Sequence, residues 1–243
     1  MERKKMKKDA LDLAARFSFM PNRLKFCGPD DIHSVLYEYI CGRGSRKKAS
    51  DFLSRFEALV PYLELIASKN SRKTFDYDVV EAYWIGNSLL EKVKPSDIRQ
   101  MILRKFTKRG LPKETAKELA GNIPKGVNPH HSFHCLHIHT ITGKIAPTLR
   151  NTDKCRISIG EVKKISGSSI MVNTVPLVMA GSVDYGEKTE LKVHYNRDFL
   201  PDVRKRDKVA LHWDFAAYRL SKKQAQNLDN YTRQNVEAMK SLD

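Results

Sequence analysis

Five of the eight histidines fall within ten residues, in the run Pro129-His130-His131-Ser132-Phe133-His134-Cys135-Leu136-His137-Ile138-His139. Imidazole is a borderline ligand suited to zinc, iron, copper or nickel, so this density points to transition-metal chemistry. Spacing decides which side chains could converge. If the run is helical, with Asn128 as cap and Pro129 in the first turn, His130, His134 and His137 share one face at i, i+4 and i+7. If it is extended, His137 and His139 share a face about 6.6 Å apart, and Cys135 lies on that face as well. The β-branched Ile138, Thr140, Ile141 and Thr142 favour the extended form at the C-terminal end. The candidate metal ligands are therefore His130, His134, His137 and His139, with zinc, iron or nickel as the expected ion. The shell is incomplete: H-E-x-x-H is absent, and a distant His33, His194, His212 or an acid would have to complete it. The same histidines could instead line a domain seam, hydrogen-bonded to carbonyls, or contact a substrate or phosphate.

Two cysteines are candidates for reactive or metal-transfer chemistry. Cys27, in Phe26-Cys27-Gly28-Pro29-Asp30-Asp31, precedes a helix start, where N–H groups lower a thiol pKa and the neighbouring aspartates oppose that effect. Cys155 is the second. No C-x-x-C occurs among the four cysteines, which argues against zinc ribbons, ferredoxin-type clusters and thioredoxin motifs. In Gly42-Arg43-Gly44-Ser45-Arg46-Lys47-Lys48 the glycine spacing is wrong for a phosphate-binding ATPase loop. Arg43, Arg46, Lys47 and Lys48 nevertheless offer four cations at a helix start, where a nucleic-acid phosphate could sit.

The elements that must position these residues divide the chain. Apolar residues recur every three to four positions at Ile32 to Ile40, Ala49 to Val60 (with a break or kink at Pro61), Val79 to Leu90, Ile98 to Phe106 and from Pro112 to Gly121. After Pro129 the period becomes two: Ile157 and Ile159, then Ile170, Val172 and Val178, with further strands at Leu191 to Tyr195 and Val209 to Trp213. Ser221 and Gln224 have capping-box spacing before a final helix. The expected fold is α+β: an N-terminal helical domain over 1–125, a histidine-rich junction over 126–152, and a small antiparallel β-barrel with a C-terminal helix over 153–243.

The stretch Cys155-Arg156-Ile157-Ser158-Ile159-Gly160-Glu161-Val162, with Asp207-Lys208-Val209-Ala210-Leu211-His212-Trp213-Asp214-Phe215-Ala216 and the closing helix, resembles the small β-barrel chaperone family of nickel-iron hydrogenase maturation. The resemblance covers about 85 residues. It implies a barrel, a client metalloprotein as partner and Cys155 as a metal-transfer cysteine. That cysteine opens the chain in the family and is internal here, after Lys154.

Composition bounds the function more loosely. The 243 residues carry 44 Lys and Arg against 28 Asp and Glu, a net charge of +16, with 41% hydrophobic residues. That balance excludes a disordered or disulfide-scaffold chain and suits a polyanion partner, but the cations are dispersed, in clusters such as Lys4 to Lys8 and Arg204 to Lys208, without a helix-turn-helix, zinc-finger or RNA-binding signature. No apolar run approaches bilayer-spanning length and no secretory h-region is visible, so no membrane partner is expected and the cytoplasm is the expected compartment. Two functions result: a metal-associated accessory protein, linked to metalloenzyme assembly, or an RNA- or DNA-binding protein using basic patches. An enzyme working through a histidine and Cys27 stays open, and no acid pair marks a hydrolytic dyad.

Overall fold

The computed structural model describes residues 8–242, so Lys4, Lys5 and Lys7 of the first basic cluster lie outside the described residues. Helix α1 (Ala10–Arg23) is the centre of the molecule, with twelve of its fourteen residues buried. Asp9 caps it, accepting from the N–H groups of Leu11 (2.9 Å) and Asp12. Its sequence, ALDLAARFSFMPNR, carries a narrow polar edge at Asp12 and Arg16, which pair with each other at 2.7 Å one turn apart, and buries nearly everything else.

Around α1 pack α2 (His33–Ile40), α3 (Arg46–Leu53), α4 (Leu59–Lys69), α5 (Tyr77–Trp84), α6 (Pro95–Met101) and α7 (Lys113–Gly121). Pro61 stands in the first turn of α4, where a missing N–H costs nothing, and the chain breaks before it rather than kinking. After α7 come the short α8 (His131–Phe133) and α9 (Leu149–Cys155), and the chain ends on α10 (Lys222–Met239). Ser221 and Gln224 form the reciprocal capping box of α10.

The strands are β1 (Ser158–Ser166), β2 (Ser169–Thr174), β3 (Leu177–Ala180), β4 (Ser182–Tyr185), β5 (Thr189–His194), β6 (Lys208–His212) and β7 (Phe215–Leu220). The expected small antiparallel β-barrel is corrected here. β1, β2, β5, β7 and β6 close into a ring in that order, β6 pairing back onto β1, but β5 meets β7 in parallel at the single pair His194↔Phe215, so the ring is not antiparallel throughout. β3 and β4 stand apart as a separate two-stranded hairpin. Phe17 and Phe19 of α1 face Tyr218 and Phe215 of β7 at 6.2 and 5.6 Å, so β7 packs on the central helix. β2 shows the alternation expected of a half-buried strand, and Gly160 of β1 lets Val172 and Leu211 approach to about 3 Å of where a Cβ would stand.

One apolar core runs from Ala10 to Ala238 and includes residues of helices and strands alike. It crosses both of the sequence boundaries, at 125 and 153. No helix among the described residues is long and apolar enough to cross a membrane.

Candidate metal centre

The histidine run is helical. His130 caps α8 through its ring, which accepts from Ser132 N, and the next turn, His134 to Ile138, is wound as a π-helix. The extended form expected for His137 and His139 is therefore corrected: the chain turns at His139, where φ is +61°. Asn235 of α10 clamps the run, accepting from Asn128 N at 2.9 Å and donating to Ser132 Oγ at 2.8 Å. These bonds satisfy polar groups buried between helix and strands.

Three ligand-bearing side chains from distant parts of the chain meet below this run. His131 of α8, Cys155 at the end of α9 and His212 at the end of β6 are all buried, and their ligand atoms lie within 4.8 Å of one another. Such a His/Cys/His cluster can coordinate a metal ion. The β6–β7 turn sets His212: Trp213 and Asp214 both adopt positive φ (53° and 57°), which a tight type I′ hairpin requires and which costs energy for residues other than glycine. Trp213 N also donates to Lys154 O at 2.7 Å, tying the turn to the residue before Cys155.

His212 is oriented as a ligand should be. Its Nδ1 donates to Phe17 O at 2.7 Å, while the buried Nε2 has no hydrogen-bond partner. A second-shell carbonyl on one ring nitrogen fixes the tautomer that leaves the other nitrogen's lone pair free. His131 is held on both sides, Nδ1 at 3.0 Å from Tyr83 Oη and Nε2 at 3.0 Å from Cys155 O, with Cys155 Sγ 3.9 Å from Nε2. The Cys155 carbonyl can only accept, so Nε2 donates to it and Tyr83 Oη donates to Nδ1; ligation through Nε2 requires the ring proton to move to Nδ1 and the bond to the Cys155 carbonyl to break.

Burial holds these rings neutral. It lowers His130 and His134 to about 3 and His212 to about 4, and it pushes His131 well below the ordinary range, with His212 adding to the effect. The Phe17 and Cys155 carbonyls, which favour a protonated His212 ring, offset burial only in part. A hydrogen bond with Cys135, and then burial, raises the Cys155 thiol well above its usual value. Neutral imidazoles are ready donors, whereas the thiol must release its proton to bind.

Of the residues expected from sequence, His134 and His139 line the same cavity of about 30 Å³ as Cys27, Cys155, His131 and His212. No acid lines it, so its donors are nitrogen and sulfur, a set for zinc-like ions and not for calcium or magnesium. His130 is engaged with Ser132, and His137 turns away to Leu119 O at 2.9 Å while stacking on Phe133. Burial, then the Cys155 and Glu57 charges, raises the Cys27 thiol well above its usual value, so it is no activated nucleophile. In the glycine-bearing loop, Arg43 pairs with Glu38 at 2.9 Å and Arg46 with Asp9 at 2.7 Å, leaving Lys47 and Lys48 exposed. His131 is a candidate ligand that the helical face of His130, His134 and His137 does not include, and its i, i+4 partner is Cys135.

No curated protein and no solved structure matches the chain. A family of unknown function, DUF6390, matches residues 6–242. The chain belongs to that family. Its match spans helices and strands as one unit, and no kinship with the hydrogenase-maturation chaperones is found, so the transfer role that this resemblance implied for Cys155 falls away.

Proposed function

We propose that this member of DUF6390 is a metal-associated accessory protein that retains a transition-metal ion in its core through His131, Cys155 and His212. The observation that carries the reading is the buried, unpartnered Nε2 of His212, directed by the Phe17 carbonyl and close to a thiol and a second neutral imidazole. An unsatisfied nitrogen in an apolar interior costs about 1–3 kcal/mol, and a ligated ion removes that cost. The three ligands come from α8, α9 and β6, so one ion would join the helical half to the strands.

The dimensions favour retention over turnover. A cavity of about 30 Å³ accepts an ion and excludes an organic substrate. Handing the ion to a client metalloprotein would require the core to open, since each ligand is less than a tenth exposed. The nucleic-acid reading gains little from the loop after α2, where two of its four cations are already paired with carboxylates.

The test is elemental analysis of untagged, full-length protein. Near one equivalent of a transition metal is expected, lost in His212→Ala and in Cys155→Ser. Metal-free protein that binds neither Zn²⁺ nor Co²⁺ on titration would overturn the proposal.

A further inference from the structure

We infer that Cys135 is the fourth ligand of this centre, making it a charge-neutral Cys₂His₂ site for zinc or an ion of like preference; the inference rests on the three-residue reading above. Cys135 is 1% exposed and its Sγ lies 3.4 Å from His131 Nε2, on the same nitrogen that Cys155 Sγ approaches at 3.9 Å. In a tetrahedral site, bonds of about 2.0–2.1 Å to nitrogen and 2.3 Å to sulfur place neighbouring ligand atoms about 3.3–3.8 Å apart. Both sulfur–nitrogen separations are already close to that edge length. The two sulfurs thus converge on one nitrogen, and these three atoms would make one face of the polyhedron. His212 Nε2 supplies the remaining corner by moving inward.

Charge supplies a second, independent argument. A divalent ion held by one thiolate and two neutral histidines leaves a net +1 in a cavity whose lining has no acid. An uncompensated charge in such surroundings is costly, and a second thiolate cancels it. Ligation takes the proton from each thiol and releases it to solvent, so M²⁺ and two thiols give a neutral centre and two protons. Cys27 lines the cavity, which Cys135 does not, and is the competing source of that second thiolate; Cys135 is favoured by its 3.4 Å approach to His131 Nε2. The π-wound turn that carries Cys135 also fits, because such turns are frequent where a helix re-aims a side chain toward a site.

The experiment is a titration of reduced, metal-free, full-length protein with Co²⁺, followed by displacement with Zn²⁺. The wild type should show strong thiolate-to-cobalt absorption, and Cys135→Ser should keep about half of it. The same variant should bind the ion about tenfold or more weakly. Cys27→Ser should match the wild type. Full absorption and affinity in Cys135→Ser, or the halving appearing in Cys27→Ser instead, would overturn the inference while leaving the three-ligand site intact. No cobalt binding by the wild type would remove both. Should Cys135→Ser fail to fold by circular dichroism, X-ray absorption of the zinc-loaded wild type decides: two sulfur neighbours at about 2.3 Å are expected, and one refutes.

Discussion

Acid should unfold the metal-free protein in a window set by its histidines. His130, His134 and His212 have folded values of about 3, 3 and 4, against an unfolded value near 6.5. Because the folded values are depressed, the unfolded chain takes up protons first as pH falls. The stabilisation is thus complete above about pH 6.5 and is progressively lost towards pH 4. At pH 5.5 each unfolded imidazole is about ten-elevenths protonated while its folded counterpart is neutral, which costs about 1.4 kcal/mol per residue and about 4 kcal/mol for the three. His131, also pushed down by burial, acts in the same direction. Against a typical total of about 5–15 kcal/mol this is a large fraction, equivalent to a fall in Tm of about 8–16 °C for a chain of this size. Urea denaturation in chelator at pH 7.5 and 5.5 measures it directly. Asp9 and Asp97, which burial raises but which Arg46 and Lys69 respectively and backbone hydrogen bonds lower overall, contribute stability that is lost only as pH falls through the carboxylate range, so the two windows separate. Equal midpoints at pH 7.5 and 5.5 would show that the buried rings are protonated or solvated in the folded state, and would refute the reasoning.

Other consequences are as direct. Zn²⁺ at a hundredfold excess over its Kd should raise stability by about 2.7 kcal/mol, and differential scanning calorimetry should show Tm rising by about 5–10 °C in the wild type and not in His212→Ala. Asn235→Ala removes three partners from the Asn128–Ser132 clamp and should cost about 2–3 kcal/mol in chemical denaturation, with metal affinity falling as His131 loosens. Gly86→Ala should cost about 2–4 kcal/mol in the same assay, because Gly86 has φ +96° and an added Cβ would stand 2.3 Å from the Tyr231 ring. Replacing exposed Lys47 and Lys48 by Gln should shift stability by less than about 0.5 kcal/mol.

The helices α2 to α7 were legible because each buries one face, and the spacing of Ile32, Leu36 and Ile40 or of Ile98, Met101 and Ile102 records it. Helix α1 was less legible: its polar edge of Asp12 and Arg16 reads as a surface, yet Arg16 is paired with Asp12 and buried with the apolar residues. The alternation at Ile170 and Val172 marked β2, whereas β7, with Phe215, Ala216, Ala217, Tyr218 and Leu220 all buried, has no period to read. The all-antiparallel expectation failed at the same strand: β7 meets β5 in parallel at His194↔Phe215, a pairing that the period of neither strand announces.

The metal centre shows the same division between local and distant information. A dense histidine run drew attention to residues 130–139, but density is a local property and coordination is not. His130 and His137 each bond one ring nitrogen locally, to Ser132 and to the Leu119 carbonyl, whereas His131, His134, His139 and His212 line the cavity. His212, isolated in sequence, becomes a candidate ligand because the strained Trp213–Asp214 turn carries it under α1 and against Cys155. Two neutral imidazoles and one or two thiols brought together without any carboxylate are an arrangement that an interior tolerates only when uncharged or when neutralised by an ion. The fold meets the first condition when its thiols are protonated. With a bound divalent ion it meets the second once both Cys135 and Cys155 give up their protons.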